Sequence, residues 1–403
     1  MRNRWFIALA AIGLHISIGS VYAWSVLTRP IMVDMGFTLS QTTWTFSLAI
    51  LMLGLSAGFF GSFAEKIGPK KSGLLAMLFW VTGLFGTAYA LSIHNLTLLY
   101  LFYGIIGGIG LGIGYITPVS TLVKYFPNRP GFATGLAIMG FGFASLIAGP
   151  LMQYLVAQVG LIDNFIILGL IYLVVMGTSS LYLKAPQPKQ PTRTTKDKST
   201  MYVHNHGMLA NDAMKTWQFG ALWWVFFINI TCGIGLLSLA SPMAQETIGM
   251  TPAAAASLVG VIGIFNGSGR IAWSTISDYL GRAQTYILFF IIEIVAFYLL
   301  AQTNSALTFQ ILILLIITCY GGGFACMPAY LADLYGIRQL STIHGRILTA
   351  WGLAGIVGPM LVSYFHEAGY GYTTALECFA ALFVINTIIA IALKLYGKRE
   401  LHN

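Results

Sequence analysis

Polar and apolar positions along this chain fall into blocks. Apolar stretches recur from end to end at approximately 5–28, 42–63, 72–92, 97–122, 133–157, 165–183, 217–240, 253–275, 284–302, 307–332, 345–365 and 374–395. Each is long enough to cross a hydrocarbon core of about 30 Å at roughly 1.5 Å per residue. The pattern predicts an all-α membrane protein with twelve transmembrane helices.

Composition agrees: 57% of the 403 residues are hydrophobic, 8% are charged, and the mean hydropathy is +0.79, which excludes a soluble domain. The basic residues set an orientation, because lysine and arginine stay on the cytoplasmic side during insertion. Of the 21, all but Arg29 and Arg270 fall in the N-terminus, the even-numbered turns or the C-terminus. Both termini are thus expected in the cytoplasm, in a multi-pass protein of the cell (inner) membrane. The formal charge of +9 expresses this bias and implies no nucleic-acid partner. The opening MRNRWFIALAAIGL has a basic start and an apolar run but no small-residue cleavage site on schedule, so it is expected to be the first permanent span. Four cysteines, Cys232, Cys319, Cys326 and Cys378, lie in apolar segments without metal-ligand spacing. No nucleophile–base or metal constellation is present, so neither an enzyme nor a cofactor or metal site is expected, and the chain is expected to be a monomer.

Punctuating residues repeat at a nearly fixed separation, the mark of an internal duplication. Pro30 and Pro242 are expected to end the first and seventh spans; Pro118 pairs with Pro328, and Pro150 with Pro359. The loop GSFAEKIGPKK after span two is matched by STISDYLGRA after span eight, aligning Glu65 with Asp278 and Gly68 with Gly281, followed by Arg282. This acidic-x-x-Gly-basic signature in two six-span halves resembles the major facilitator superfamily. The resemblance implies two bundles, 1–183 and 216–403, rocking about a central site, with Glu65, Gly68, Asp278, Gly281 and Arg282 in gating loops. Residues 184–215, rich in proline, threonine and positive charge, read as a cytoplasmic linker. Its His204 and His206 lack further ligands, and NDAMKTWQFGALWW reads as a short interfacial helix with Trp217 at headgroup depth.

Arg270 breaks the repeat, since its partner position is Ala57. An arginine at a helix centre costs about 2.5 to 3.5 kcal/mol on insertion scales, so it persists where it lines a cavity or meets an anion. Asn266, four residues earlier, shares its helical face. Guanidinium binds carboxylate through two parallel charge-assisted hydrogen bonds, which makes a small organic acid the leading cargo. Glu293 in span nine offers the competing reading of a buried ion pair. In span one, His15, Gly19 and Tyr22 share a stripe; Tyr22 is a candidate carboxylate donor, and His15 is a candidate proton acceptor. Glu293 is a second proton-coupling candidate. Tyr115 is the one large hydroxyl in the glycine-rich YGIIGGIGLGIGYITPVS, whose context is a close-packed membrane helix and not a dinucleotide fold.

The strings GSVYAWSV, GIGYITPVSTLVKYFPNRPGFATGLAIMGFG, TWQFGALWW, IFNGSGRIAWSTISDYLGR and YGGGFACMPAYLADLYG resemble the oxalate/formate antiporter family, a branch close to the monocarboxylate transporters. The resemblance implies a carrier of small carboxylates in which Arg270 anchors the anion, Tyr22, Tyr115 and Asn266 lie near it, and Tyr320 and Phe324 cap the site. A second basic residue in span eleven of the oxalate exchanger is replaced here by Trp351, which favours a monoanion of the lactate or pyruvate type. Asn266 stands where the monocarboxylate transporters often carry an aspartate. Expected partners are a small carboxylate, protons or a counter-anion, and the lipid bilayer. The expectation is alternating-access transport, proton-coupled; anion exchange of the oxalate/formate type and a transporter-like carboxylate sensor are the alternatives.

Overall fold

The computed structural model describes residues 3–125, 130–185, 207–336 and 339–396. Among these described residues twelve helices are long and apolar enough to cross a membrane, within a few residues of the blocks read from the pattern. The principal helices are α1 (Arg4–Gly19), α2 (Ser25–Met35), α3 (Leu39–Ile67), α4 (Pro69–Ser92), α5 (Gly108–Tyr125), α6 (Pro130–Val159), α7 (Leu161–Tyr182), α8 (Trp217–Ser238), α9 (Ala240–Ile248), α10 (Pro252–Leu280), α11 (Arg282–Gln302), α12 (Ala306–Tyr335), α13 (Thr349–Glu367) and α14 (Gly371–Tyr396). Most of the expected linker, with His204 and His206, lies outside the described residues, as does the side chain of Glu65. A short helix, Ala210–Ala213, precedes α8, where Thr216 caps Trp217.

The duplicated punctuation has a structural meaning. Both α3 and α10 are 29 residues long. Thr38 and Thr251 cap their N-termini by accepting backbone N–H bonds from Gln41 and Ala254. Gly68 and Gly281 end them at φ of 81° and 92°, a region other residues resist. The first span differs from the expected continuous helix. After α1 the chain tightens into a 3-10 turn over Ser20–Ala23 and resumes as α2. Pro30 therefore lies inside α2, and Pro242 inside α9, so neither ends a span. The break falls where Gly19 meets α6: a Cβ there would lie 2.6 Å from the Phe141 carbonyl oxygen.

Long contacts join the first six spans to the last six, α6 along α10 and α3 along α13. Both rely on paired glycines. A Cβ on Gly54 would stand 2.6 Å from the Gly352 backbone, and one on Gly142 would stand 2.8 Å from Gly267 Cα. On the face opposite the chain ends, polar groups add to this: Arg29 donates to Gln245 at 2.9 Å and Glu367 accepts from the Ser40 backbone at 2.7 Å, while His366 meets Glu246 at 2.7 Å within the last six spans. On the face carrying the chain ends, Arg282 joins Asp278 at 2.6 Å to Asp333 at 3.5 Å, tying α10 to α12.

Gly54→Val is expected to destabilise the protein by about 1 to 3 kcal/mol, because the added side chain meets backbone that cannot rotate away. Gly220→Ala, where nothing lies within 4 Å, should leave stability unchanged or improved. Thermal unfolding of the two detergent-purified variants checks this contrast.

Candidate functional site

The helix contacts bring a single arginine into an aromatic chamber between the two sets of spans. Arg270 on α10 is only 1% exposed. Its Nε donates to Asn266 Oδ1 at 3.2 Å, one turn earlier on the same helix. Its Cζ lies 5.0 Å from the centroid of the Phe324 ring on α12, so the guanidinium rests on a π face. Gly321 makes this approach possible, since a Cβ there would fall 2.4 Å from the Asn266 carbonyl and 3.3 Å from Arg270 Cγ.

Residues from α5, α6, α12 and α13 close the chamber. Phe141 stands edge-on to Tyr22 (4.8 Å between ring centroids), to Tyr115 (5.6 Å) and to Trp351 (6.0 Å). Trp351 in turn meets Tyr115 at 5.1 Å and Phe324 at 4.8 Å, and Tyr320 meets Phe324 at 5.4 Å. The hydroxyls of Tyr22 and Tyr320 are bonded to each other at 2.8 Å across the two sets of spans. Every one of these side chains is buried.

The polar inventory is lopsided. Arg270 Nη1, Asn266 Nδ2, Trp351 Nε1 and the Tyr115 hydroxyl are buried without a hydrogen-bond partner. Arg270 acts electrostatically on Tyr22 and Tyr115, yet the Tyr115 hydroxyl lies outside hydrogen-bond geometry. Three of the four atoms can only donate, and none of them meets an acceptor at hydrogen-bond distance among the described residues. Each orphaned buried group is costly, so the chamber is chemically incomplete in a way that an acceptor-rich anion would complete.

Seven residues expected near a ligand, namely Arg270, Asn266, Tyr115, Tyr22, Tyr320, Phe324 and Trp351, thus meet in one chamber. Tyr22 differs from the expected free donor, because its hydroxyl is shared with Tyr320. Glu293 forms no pair with Arg270. It is fully buried on α11, where Asn229 Nδ2 donates to it at 3.4 Å. The competing reading of an Arg270–Glu293 ion pair is therefore wrong: the two side chains leave their helices toward different neighbours. His15 lies beside the chamber, stacked on Tyr115 at 5.4 Å. Phe141 was missed by sequence reasoning. It sits at the chamber's centre, yet in GLAIMGFGFAS nothing but the flanking glycines marks it.

Comparison with known proteins places the geometry in context. A family model described as the Major Facilitator Superfamily matches residues 6–292 and 222–402. An uncharacterised MFS-type transporter, YhjX of Escherichia coli, is 29% identical over 88% of this chain and 86% of its own length. The oxalate:formate antiporter of Oxalobacter formigenes is 26% identical over 97% of this chain and 90% of its own. A solved bacterial homologue of the human lysosomal transporter Spinster, in an inward-facing and unoccupied conformation, superposes with a TM-score of 0.77. It is 14% identical and is covered to 97% in both chains.

Tyr22→Phe and Tyr320→Phe each remove the same hydrogen bond and leave one hydroxyl unpaired, so each should cost about 0.5 to 1.5 kcal/mol. The double variant should cost less than the sum of the two, because neither partner remains to be stranded. A double-mutant cycle in thermal unfolding measures this coupling.

Proposed function

The chain belongs to the major facilitator superfamily and is a membrane transporter, not an enzyme, and from this premise we propose that it carries small monocarboxylates of the lactate and pyruvate type by alternating access, coupled to a proton. The observation that carries the reading is the set of buried donors around Arg270 that have no acceptor. A carboxylate is acceptor-only, with two oxygens that match the guanidinium fork. In this reading Arg270 anchors the anion and Asn266 holds the guanidinium in place. Tyr115 and Trp351 donate to the anion, and Phe324 supports the cation from below. The Tyr22–Tyr320 bond closes the chamber between bundles 1–183 and 216–403.

One buried positive charge matches one negative charge. An indole at 351 adds a donor but no second cation, which supports a monoanion over a dianion such as oxalate. A sugar would gain little from a desolvated guanidinium, and a cationic drug would be repelled. The oxalate:formate antiporter among the relatives supports the carboxylate class. In the proposed cycle Gly68 and Gly281 end the helices that flank the gating loops, Asp278, Arg282 and Asp333 brace the second of them, and the cell (inner) membrane holds the protein with both termini in the cytoplasm.

The same chamber favours crossing of the loaded form, which predicts exchange, or symport where a proton resets the empty carrier. An uncompensated buried charge costs about 3 to 5 kcal/mol. That disfavours a closed, empty chamber by about two to three orders of magnitude, at roughly 1.4 kcal/mol per tenfold. A bound carboxylate removes the penalty.

Labelled L-lactate in proteoliposomes tests the reading, with pyruvate, formate, oxalate and glucose as competitors. Uptake should be driven by an imposed pH gradient and inhibited by pyruvate, and glucose should have no effect. Rapid exchange against internal formate or oxalate without a response to the gradient would make the protein an antiporter. Arg270→Lys keeps the charge and loses the fork, so its half-saturation concentration should rise by about tenfold or more. Unchanged affinity in that variant would rule out bidentate binding.

A further inference from the structure

We infer that His15 is the site of the coupling proton, held between two backbone carbonyls and linked to the anion through Tyr115. The inference rests on the monocarboxylate–proton reading above and adds a residue and a geometry to it. His15 sits on α1 where α5 and α6 converge, and it is fully buried. Its Nδ1 makes a short contact with the Ala137 carbonyl oxygen of α6, and its Nε2 lies 2.9 Å from the Tyr115 carbonyl oxygen of α5. Both partners can only accept. A neutral imidazole has one N–H and one lone pair, so it satisfies one carbonyl and turns a lone pair toward the other. The imidazolium donates to both. The two carbonyls thus favour a ring that carries two N–H groups against the cost of burying its charge, and proton binding gains a hydrogen bond without moving a helix.

Tyr115 connects this pocket to the anion. Its carbonyl faces His15, its ring stacks on the imidazole at an interplanar angle of 23°, and its hydroxyl is one of the partnerless groups in the Arg270 chamber. Arg270 also acts electrostatically on His15. Two cations repel in a dry space of low dielectric. An anion seated on Arg270 cancels that repulsion, so each of anion and proton favours the binding of the other, and by linkage the effect is reciprocal.

The surrounding titratable groups leave His15 the simplest acceptor. In the turn that follows its own helix, Tyr22 is committed to Tyr320. On α5 the group facing it is Tyr115; on α6 it is the neutral Phe141, edge-on at 6.2 Å. Tyr172 of α7 interacts with Ser20, and Tyr182 packs on Phe6 near the chain start. Glu293, the other buried acid, acts on Cys232 and Cys319 within the last six spans. In the cycle, imidazole takes a proton from the water on the side to which the chamber opens, and imidazolium returns it on the other side with the anion.

Wild-type protein in nanodiscs, uniformly labelled with 15N-histidine, gives the first measurement. Saturating pyruvate should convert one histidine from the neutral to the imidazolium spectrum, and a pH indicator in weak buffer should record proton uptake with binding. The converted signal should be absent from His15→Gln. In proteoliposomes His15→Gln should lower accumulation driven by the pH gradient at least about tenfold more than it lowers pyruvate counterflow. Glu293→Gln should leave the ratio of accumulation to counterflow as in wild type. Pyruvate binding that converts no histidine of the wild-type protein to the imidazolium spectrum overturns the inference, whether or not the His15 variant folds. A wild-type ratio in His15→Gln overturns it as well, and a collapsed ratio in Glu293→Gln moves the proton to that acid. Absence of pyruvate, lactate and formate binding by the wild type overturns the monocarboxylate reading itself, and with it the inference.

Discussion

A guanidinium buried in apolar surroundings is the constraint on which the rest of the chamber depends. Arg270 has one internal partner, Asn266, and one supporting face, Phe324. Neither carries a negative charge. Of its two terminal nitrogens, Nη1 is left without an acceptor, and the neighbouring donors of Asn266 and Trp351 and the Tyr115 hydroxyl are also left unpaired. A structural arginine would normally be surrounded by acceptors, because burying a charge without compensation costs several kcal/mol. The architecture around it follows the same need. Gly321 clears space for the side chain, and consecutive glycines at 322 and 323 admit Trp273 and Asn229 alongside.

Close backbone approach is what lets residues from four helices reach one guanidinium. Without a hydrophobic drive between helices in lipid, association depends on packing and small residues at contacts. Gly54 against Gly352 and Gly142 against Gly267 set the distance between the two sets of spans. That distance is short enough for Tyr22 to bond Tyr320 and for Trp351 to meet Tyr115 and Phe141. Packing of glycines thus converts, through geometry, into the chemistry of the site.

Much of this was legible from the residues. Apolar blocks marked the spans because backbone satisfaction in lipid demands long helices, and the glycines at 68 and 281 marked matching loops, whereas the threonine caps at 38 and 251 emerged only with the structure. Arg270 stood out because a charge is rare in such a block, and Asn266 followed from helical spacing. The break in the first span was not legible: Gly19 reads like many other glycines until Phe141 is known to press against it. The partner of Glu293 was also hidden, since Asn229 lies 64 residues away on another helix. Helices that are apolar on every side carry little facing information, so which side chains meet is decided by packing that the one-dimensional pattern does not record.

The polar contacts on the face away from the chain ends define what an alternating cycle would have to break. Arg29 and Glu246 lie 3.9 Å apart with side chains 47% and 33% exposed, and His366 and Glu246 are comparably accessible. Partly exposed pairs of this kind contribute about 0 to 1 kcal/mol each. Their sum is therefore small, below the penalty for leaving one guanidinium unpaired in a closed chamber, about 3 to 5 kcal/mol. A carrier whose gate energies lie below its site energy would let occupancy of the site decide which closed states are populated. Stronger gates would hold the empty chamber shut regardless of the ligand. Weaker ones would let it open without regard to Arg270. The exposed, modest character of the Arg29–Glu246 and Ser40–Glu367 contacts between the two halves would thus leave the buried arginine able to govern such a cycle.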